Sequence, residues 1–148
     1  MEAKAVFESP LLDNHPDALF LLGEIAMFGD LSTENAVDMA VDPTTAFNYY
    51  SRAADMGHPM AQYKLAVSYA SGIGAPKGAR DEALAVLYFY FASLSGNVHA
   101  SLALGYRHHF GRGVPKSCRS ASQYYKAAAE EGALLPGLRL LLLLLRWR

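Results

Sequence analysis

The amino-acid sequence predicts an all-α protein, a solenoid built from three repeated helical hairpins. Three observations support this fold class. A pattern of alanine, leucine, glycine and aromatic residues recurs along the chain, apolar residues within it are spaced four apart, and glycine and proline separate the segments. A single hairpin cannot bury its apolar face alone, so stacking three hairpins would form one continuous core.

Each repeat has two halves. The first half combines an alanine, a leucine four residues later and a glycine that ends the segment, and its copies start 43 and 39 residues apart. The second half begins with an alanine that precedes a pair of aromatic residues, and its copies start 39 and 36 residues apart. The first halves start at Ala18, Ala61 and Ala100, and the second halves start at Ala46, Ala85 and Ala121.

The spacing within each half is helical. Ala61, Leu65 and Tyr69 are four residues apart and therefore share one face of a helix. We expect six helices, paired at about 16–28 with 43–56, 59–71 with 80–95, and 98–110 with 117–131.

Helix-capping residues lie at the expected boundaries. Pro16 and Pro59 suit the first turns of leading helices, and Asp42 followed by Pro43 suits the start of a second helix. Three glycines are expected to adopt the left-handed conformation that ends a second helix, namely Gly57, Gly96 and Gly132.

The repeats divide the chain into five segments. We expect the stub of a preceding repeat, three repeats and a leucine-rich apolar tail, at 1–15, 16–57, 58–96, 97–132 and 133–148. Residues 31–41 would lengthen the first connection as a loop. The tail contains six consecutive leucines and falls short of the roughly 20 residues that span a bilayer. It is interpreted as a membrane-seeking segment, a cap over the last hairpin, or sequence from a truncated reading frame.

Composition excludes several function classes. The chain has 148 residues, 52% of them hydrophobic and 18% charged, with a formal net charge of -1. Such a chain is too apolar to be disordered and carries no excess of basic residues for nucleic-acid binding. The first residues are not expected to act as a signal peptide, because no apolar run follows a positively charged flank.

The recurring pattern resembles the Sel-one-like repeat, a relative of the tetratricopeptide repeat, over residues 16–132. The resemblance implies a helical superhelix that holds other proteins. Two positions depart from the pattern. Ala66 replaces a glycine, and Ala26 and His108 occupy the slot that Tyr69 fills in unit two.

A narrower resemblance concerns residues 85–126. The phrase Gly105-Tyr-Arg-His-His, with Cys118 downstream, is similar to the luminal adaptor of the membrane ubiquitin ligase of endoplasmic-reticulum-associated degradation. That resemblance implies an adaptor in the endoplasmic reticulum, with the ligase and misfolded proteins as partners. Membrane association would be indirect, through a partner. The alternatives are a generic cytosolic peptide-binding module and a truncated, non-functional fragment, since the chain is shorter than the family's members.

The histidines and the single cysteine are the residues that could carry metal or catalytic chemistry. Adjacent residues on a helix point about 100° apart, so His108 and His109 are poorly placed to share a metal ion, and His99 is nine residues from His108. We expect His108 to pack and hydrogen-bond in the tyrosine slot. Cys118 is expected to be a small buried residue. The sequence therefore predicts no catalytic, cofactor or metal site, and no enzyme.

Four residues are candidates for partner contact, namely Tyr90, Phe91, Arg107 and His109. The aromatic pair belongs to a run of four aromatic residues that faces all round a helix, so some belong to the core and others could contact a partner. For Tyr90 and Phe91, burial by a neighbouring repeat is the favoured expectation. Arg107, Lys64 and Lys126 could hold an acidic peptide, although solvated surface charge is the favoured interpretation.

Overall fold

A computed structural model describes residues 15–29 and 41–132, and six α-helices account for most of them. No strand occurs in these two ranges, and the predicted all-α fold is confirmed. The helices are α1 (Pro16–Phe28), α2 (Pro43–Asp55), α3 (Pro59–Ser71), α4 (Glu82–Leu94), α5 (Val98–Phe110) and α6 (Cys118–Gly132).

Helix starts follow local capping chemistry. Asp42 accepts hydrogen bonds from the amides of Thr44 and Thr45, which confirms its role as the cap of α2. Helix α4 begins two residues later than expected, at Glu82. The cause is Asp81, whose carboxylate accepts from the Leu84 amide 2.9 Å away and so fixes the first turn.

Helix ends follow the glycines in two of the three units. Gly57 and Gly96 have φ of 85° and 80°, as expected for left-handed residues that end a helix. The same expectation for Gly132 is wrong. Helix α6 has 15 residues, whereas α2 and α4 have 13 each, and Gly132 is its last helical residue.

Three segments of the sequence prediction lie largely or wholly outside the described residues. They are the stub before residue 16, the connection at 31–41 and the leucine-rich tail at 133–148.

The helices pack mainly against their neighbours along the chain, as hairpins stacked side by side. Leu65 and Ala61 are fully buried and join α3 to the first hairpin. Tyr69 continues this contact, since its ring meets Phe47 edge-on at 5.3 Å and stacks on Tyr88 at 5.8 Å. Unit two is thereby tied to unit one and to its own second helix.

Small residues let paired helices approach closely. A Cβ added at Gly23 would lie 2.5 Å from the ring of Tyr50, and one at Gly105 would lie 2.7 Å from the ring of Tyr125. These glycines make room for the large aromatic residue of the second helix. In unit two Ala66 occupies this position, and Phe89 replaces the tyrosine.

Candidate protein-binding surfaces

The first helices of units one and two meet at an apolar cavity of about 340 Å³, called here the first groove. Helix α1 and helix α3 provide most of its walls, and the ring of Tyr50 from α2 closes part of its floor. The lining residues that are also exposed large hydrophobics are Phe28, Val67 and Ile73. An apolar concavity with few polar groups is the usual form of a site that holds a ligand side chain.

A partly buried cluster of polar side chains lies beside this groove. The Tyr50 hydroxyl donates to Glu24 Oε1 at 2.6 Å, and Lys64 Nζ lies 2.8 Å from the same oxygen. Lys64 also lies 5.1 Å from the centre of the Phe28 ring. These contacts hold Tyr50, Lys64 and Phe28, three of the lining residues, so this part of the groove is preformed.

Burial, reinforced by the hydrogen bond to Glu24, raises the pKa of the Tyr50 hydroxyl far above its ordinary value of 10.0. The hydroxyl is therefore protonated across the physiological range. It donates to Glu24 Oε1, and the second oxygen of the same carboxylate, Oε2, accepts from Lys64 Nζ at 3.1 Å.

A second groove of about 250 Å³ lies between units two and three. It contains Arg107, which was expected to be solvated surface charge, and this expectation is wrong. Arg107 is 7% exposed, forms an ion pair with Glu82, and lies 5.1 Å from the centre of the Phe89 ring. Glu82 is 25 residues away in sequence, so the pairing becomes visible only once α4 and α5 pack together.

An acidic-peptide clamp was the less favoured interpretation of Arg107, Lys64 and Lys126, and two of these residues are paired within the protein. Arg107 is paired with Glu82 and Lys64 with Glu24, so the charges of both are already satisfied within the protein. Lys126 is 77% exposed on α6, and its nearest acidic neighbour is Glu130 at 3.7 Å.

The histidines occupy different environments. His108 stacks on Tyr124 at 5.5 Å and its Nδ1 lies 3.3 Å from the Pro115 carbonyl oxygen, which confirms that it packs and hydrogen-bonds. This stack repeats the Tyr69–Tyr88 stack of unit two. His109 is exposed on α5, at the position that Met27 occupies on the wall of the first groove.

Cys118 is exposed, so the expectation of a small buried residue is wrong. It is the first residue of α6, and Ser117 before it caps the helix through the Ser120 amide. Within residues 15–29 and 41–132, no three His, Cys, Asp or Glu side chains come together in a group that could hold a metal ion.

Tyr90 and Phe91 lie on a third surface, the outer face of α4. They are 44% and 41% exposed, and Leu87 and Leu94 are exposed beside them. These four residues, at positions i, i+3, i+4 and i+7, form one continuous apolar band, which is called here the outer stripe. Only the aromatic pair is among the contact residues expected from the sequence, although the two leucines follow the same helical spacing.

None of the described helices combines the length and apolar character that crossing a membrane requires.

Comparison with known families gives three matches along the chain. The family described as Sel1 repeat matches residues 16–58, 59–97 and 98–132. Human protein sel-1 homolog 2 is 42% identical over 113 residues, which cover 76% of this chain and 15% of that protein. The chain thus spans about one seventh of the length of this relative.

Two solved structures share the fold. A Sel1 repeat protein from Oxalobacter formigenes is 30% identical with a TM-score of 0.76, over 88% of this chain and 49% of that one. The protective antigen c5321 of uropathogenic Escherichia coli is 28% identical with the same TM-score, over 88% of this chain and 26% of that one.

Proposed function

The chain belongs to the Sel1 repeat family, and on that premise we propose that it is a non-catalytic protein-interaction module whose first groove holds an extended segment of a partner protein. The observation that carries the proposal is the preformed apolar cavity between α1 and α3. Exposed apolar surface in a concave site is the usual mark of a binding surface rather than of a finished core.

The groove favours a partner segment that inserts an apolar or aromatic side chain. Phe28 and Val67 offer apolar contact at its walls, and Lys64 remains 24% exposed at its edge. Because Lys64 is neutralised by Glu24, recognition would depend on shape and apolar contact more than on a charged peptide. His109, at the equivalent position in unit three, would extend the contact surface along the array.

The more specific part of the proposal concerns the pathway. We propose that the module acts as an adaptor in endoplasmic-reticulum-associated degradation, where it binds the membrane ubiquitin ligase and recruits misfolded proteins. The similarity to sel-1 homolog 2 and the phrase from Gly105 to Cys118 support this assignment. Localisation to the endoplasmic reticulum follows from the same proposal.

Co-purification tests the pathway. The tagged chain would be purified from detergent-solubilised membranes. A longer Sel1 repeat relative that co-purifies with the ligase would be purified in parallel as the positive control. Val67→Lys places a charge on the groove wall, and Met56→Lys is the matched control because Met56 is equally exposed, at 41%, outside the groove. We expect the ligase to co-purify with the wild-type chain and with the control variant, and to be absent from the Val67→Lys sample.

Absence of the ligase from the wild-type sample, while the longer relative recovers it, would contradict the adaptor role. Cell fractionation addresses the alternative of a generic cytosolic module. Recovery of the chain only in the cytosol would favour that alternative.

A further inference from the structure

The outer stripe is confined to one of the three units. The four equivalent positions on α2 and on α6 are occupied mainly by polar and charged residues. They are Asn48, Ser51, Arg52 and Asp55 in unit one, and Gln123, Lys126, Ala127 and Glu130 in unit three. Since the repeat itself does not require apolar residues at these positions, the stripe on α4 needs its own explanation.

We propose that the outer stripe is the docking site for the chain's own leucine-rich tail, residues 133–148. The tail is the most apolar segment of the sequence, and its six consecutive leucines match a surface that offers leucine and aromatic side chains. This proposal concerns a different surface from the first groove and stands independently of the proposed function.

The tail leaves the array beside the end of the stripe. The last residues of α6 lie against the junction of α4 and α5, since a Cβ at Gly132 would be 3.3 Å from Val98 and one at Gly96 would be 3.9 Å from Glu131. Gly96 follows Leu94, the stripe's most exposed residue, by two positions. The tail therefore begins within a few residues' reach of Leu94.

The tail is long enough to reach the outer stripe and to cover it. Residues 133–136 can span up to about 13 Å when extended, which exceeds the 8–10 Å that separates packed helices. Pro136 and Gly137 then form a natural turn signal. The eight residues 138–145 cover about 12 Å if helical, and the stripe from Leu87 to Leu94 covers about 10 Å.

Charge supports the same placement. The tail carries three arginines and no acidic residue. Asp55 and Glu130 occupy the positions equivalent to Leu94 on the second helices of units one and three, and Glu130, which lies 3.7 Å from Lys126, keeps 65% of its side chain exposed. Arg139, just after the turn signal, would meet Glu130.

Photo-crosslinking on the full chain tests the proposal. Benzoylphenylalanine replaces Phe91 on the stripe and, in separate samples, Phe110 on α5 and Ser122 on α6. Phe110 is 58% exposed and serves as the control for non-specific binding of the tail to exposed apolar residues. Ser122 occupies the position equivalent to Phe47, which contacts the next unit, so it samples the open end of the array.

We expect the probe at position 91 to crosslink to residues 133–148 within a monomer, and the probes at 110 and 122 to give none of this product. Leu141→Asp together with Leu144→Asp should abolish the crosslink from position 91. A crosslink to a second copy, a tail crosslink only from position 122, or no tail crosslink from position 91 would each overturn the proposal.

Discussion

At the scale of single residues, Gly23 and Gly105 differ in whether the aromatic ring packed against each of them can move. Tyr50 above Gly23 is fully buried, whereas Tyr125 above Gly105 is 37% exposed. The exposed Tyr125 ring can rotate into solvent, whereas the Tyr50 ring is held in place by its hydrogen bond to Glu24 and cannot move without losing it.

Alanine at these positions should therefore have unequal effects. Gly23→Ala is expected to lower the free energy of unfolding by about 2 kcal/mol, because the clash outweighs the gain of up to about 1 kcal/mol in helix propensity. Gly105→Ala should stay within about 0.5 kcal/mol of the wild type. Urea unfolding of both variants measures the difference, and equal destabilisation would contradict the account.

The Tyr50 hydroxyl predicts a dependence on pH. Burial and the contact with Glu24 raise its pKa above 10.0, so the folded state holds this proton more tightly than the unfolded state does. The stabilisation is complete below pH 10 and declines as the pH rises above that value. Tyr50→Phe should cost about 1 kcal/mol at pH 7 through the lost hydrogen bond and should make the alkaline decline less steep.

Unfolding curves at pH 7 and at several values above 10 test this prediction. Some alkaline decline should remain in Tyr50→Phe, because burial also raises the pKa of Tyr69, Tyr88 and Tyr124. An unchanged slope above pH 10 would show that Tyr50 does not contribute.

At the scale of elements, the connection between α3 and α4 is held against the first hairpin. Gly74 and Gly78 both have left-handed φ, of 72° and 63°. They differ in their surroundings, because a Cβ at Gly74 would overlap the carbonyl oxygen of Pro43 at the start of α2, whereas nothing lies within 4 Å of one at Gly78.

This pair separates steric overlap from backbone strain. Gly78→Ala should cost about 1–2 kcal/mol, the usual penalty of a left-handed alanine. Gly74→Ala should cost at least about 2 kcal/mol more, since the overlap is with backbone that cannot rotate away. Equal costs by thermal unfolding would indicate that the connection does not press against α2.

Elements were predictable from the sequence where their signals are local. Asp42, Pro16 and Pro59 mark helix starts within one turn, and the periodicity of each half is visible without tertiary contacts. Arg107 was misjudged because its partner Glu82 is distant in sequence. The exposure of Cys118 likewise depends on packing, which spacing alone does not report.

The candidate surfaces were less predictable. Burial of Tyr90 and Phe91 by a neighbouring repeat was the favoured expectation, and it is wrong, since both side chains are exposed on the outer face of α4. The first groove could not be predicted, because it forms between α1 and α3. These helices are separated in the chain by 30 residues, which include all of α2. Only the stacking of units brings Phe28 and Val67 to one cavity.

At the scale of the whole molecule, stability should follow nearest-neighbour packing. Leu22 in unit one and Leu65 in unit two are both buried, and alanine at either should cost about 2–5 kcal/mol. Unit two contacts both neighbours, so Leu65→Ala should increase amide exchange throughout the array. Leu22→Ala should increase it mainly in α1 and α2.

Hydrogen exchange resolved by helix distinguishes the two patterns. If Leu22→Ala raises exchange in α5 and α6 as much as in α1, the three units unfold as one block and the nearest-neighbour description is wrong.

The central claim is that a stacked array of three hairpins presents a preformed groove to a partner segment. The most direct measurement selects peptides from a random library on the full chain and compares their affinity for Val67→Lys and Met56→Lys. We expect selected peptides with apolar or aromatic anchors, whose affinity falls at least about tenfold, or about 1.4 kcal/mol, with Val67→Lys and is unchanged with Met56→Lys. Peptides that bind both variants as tightly as the wild type, or a selection that yields none, would contradict the claim.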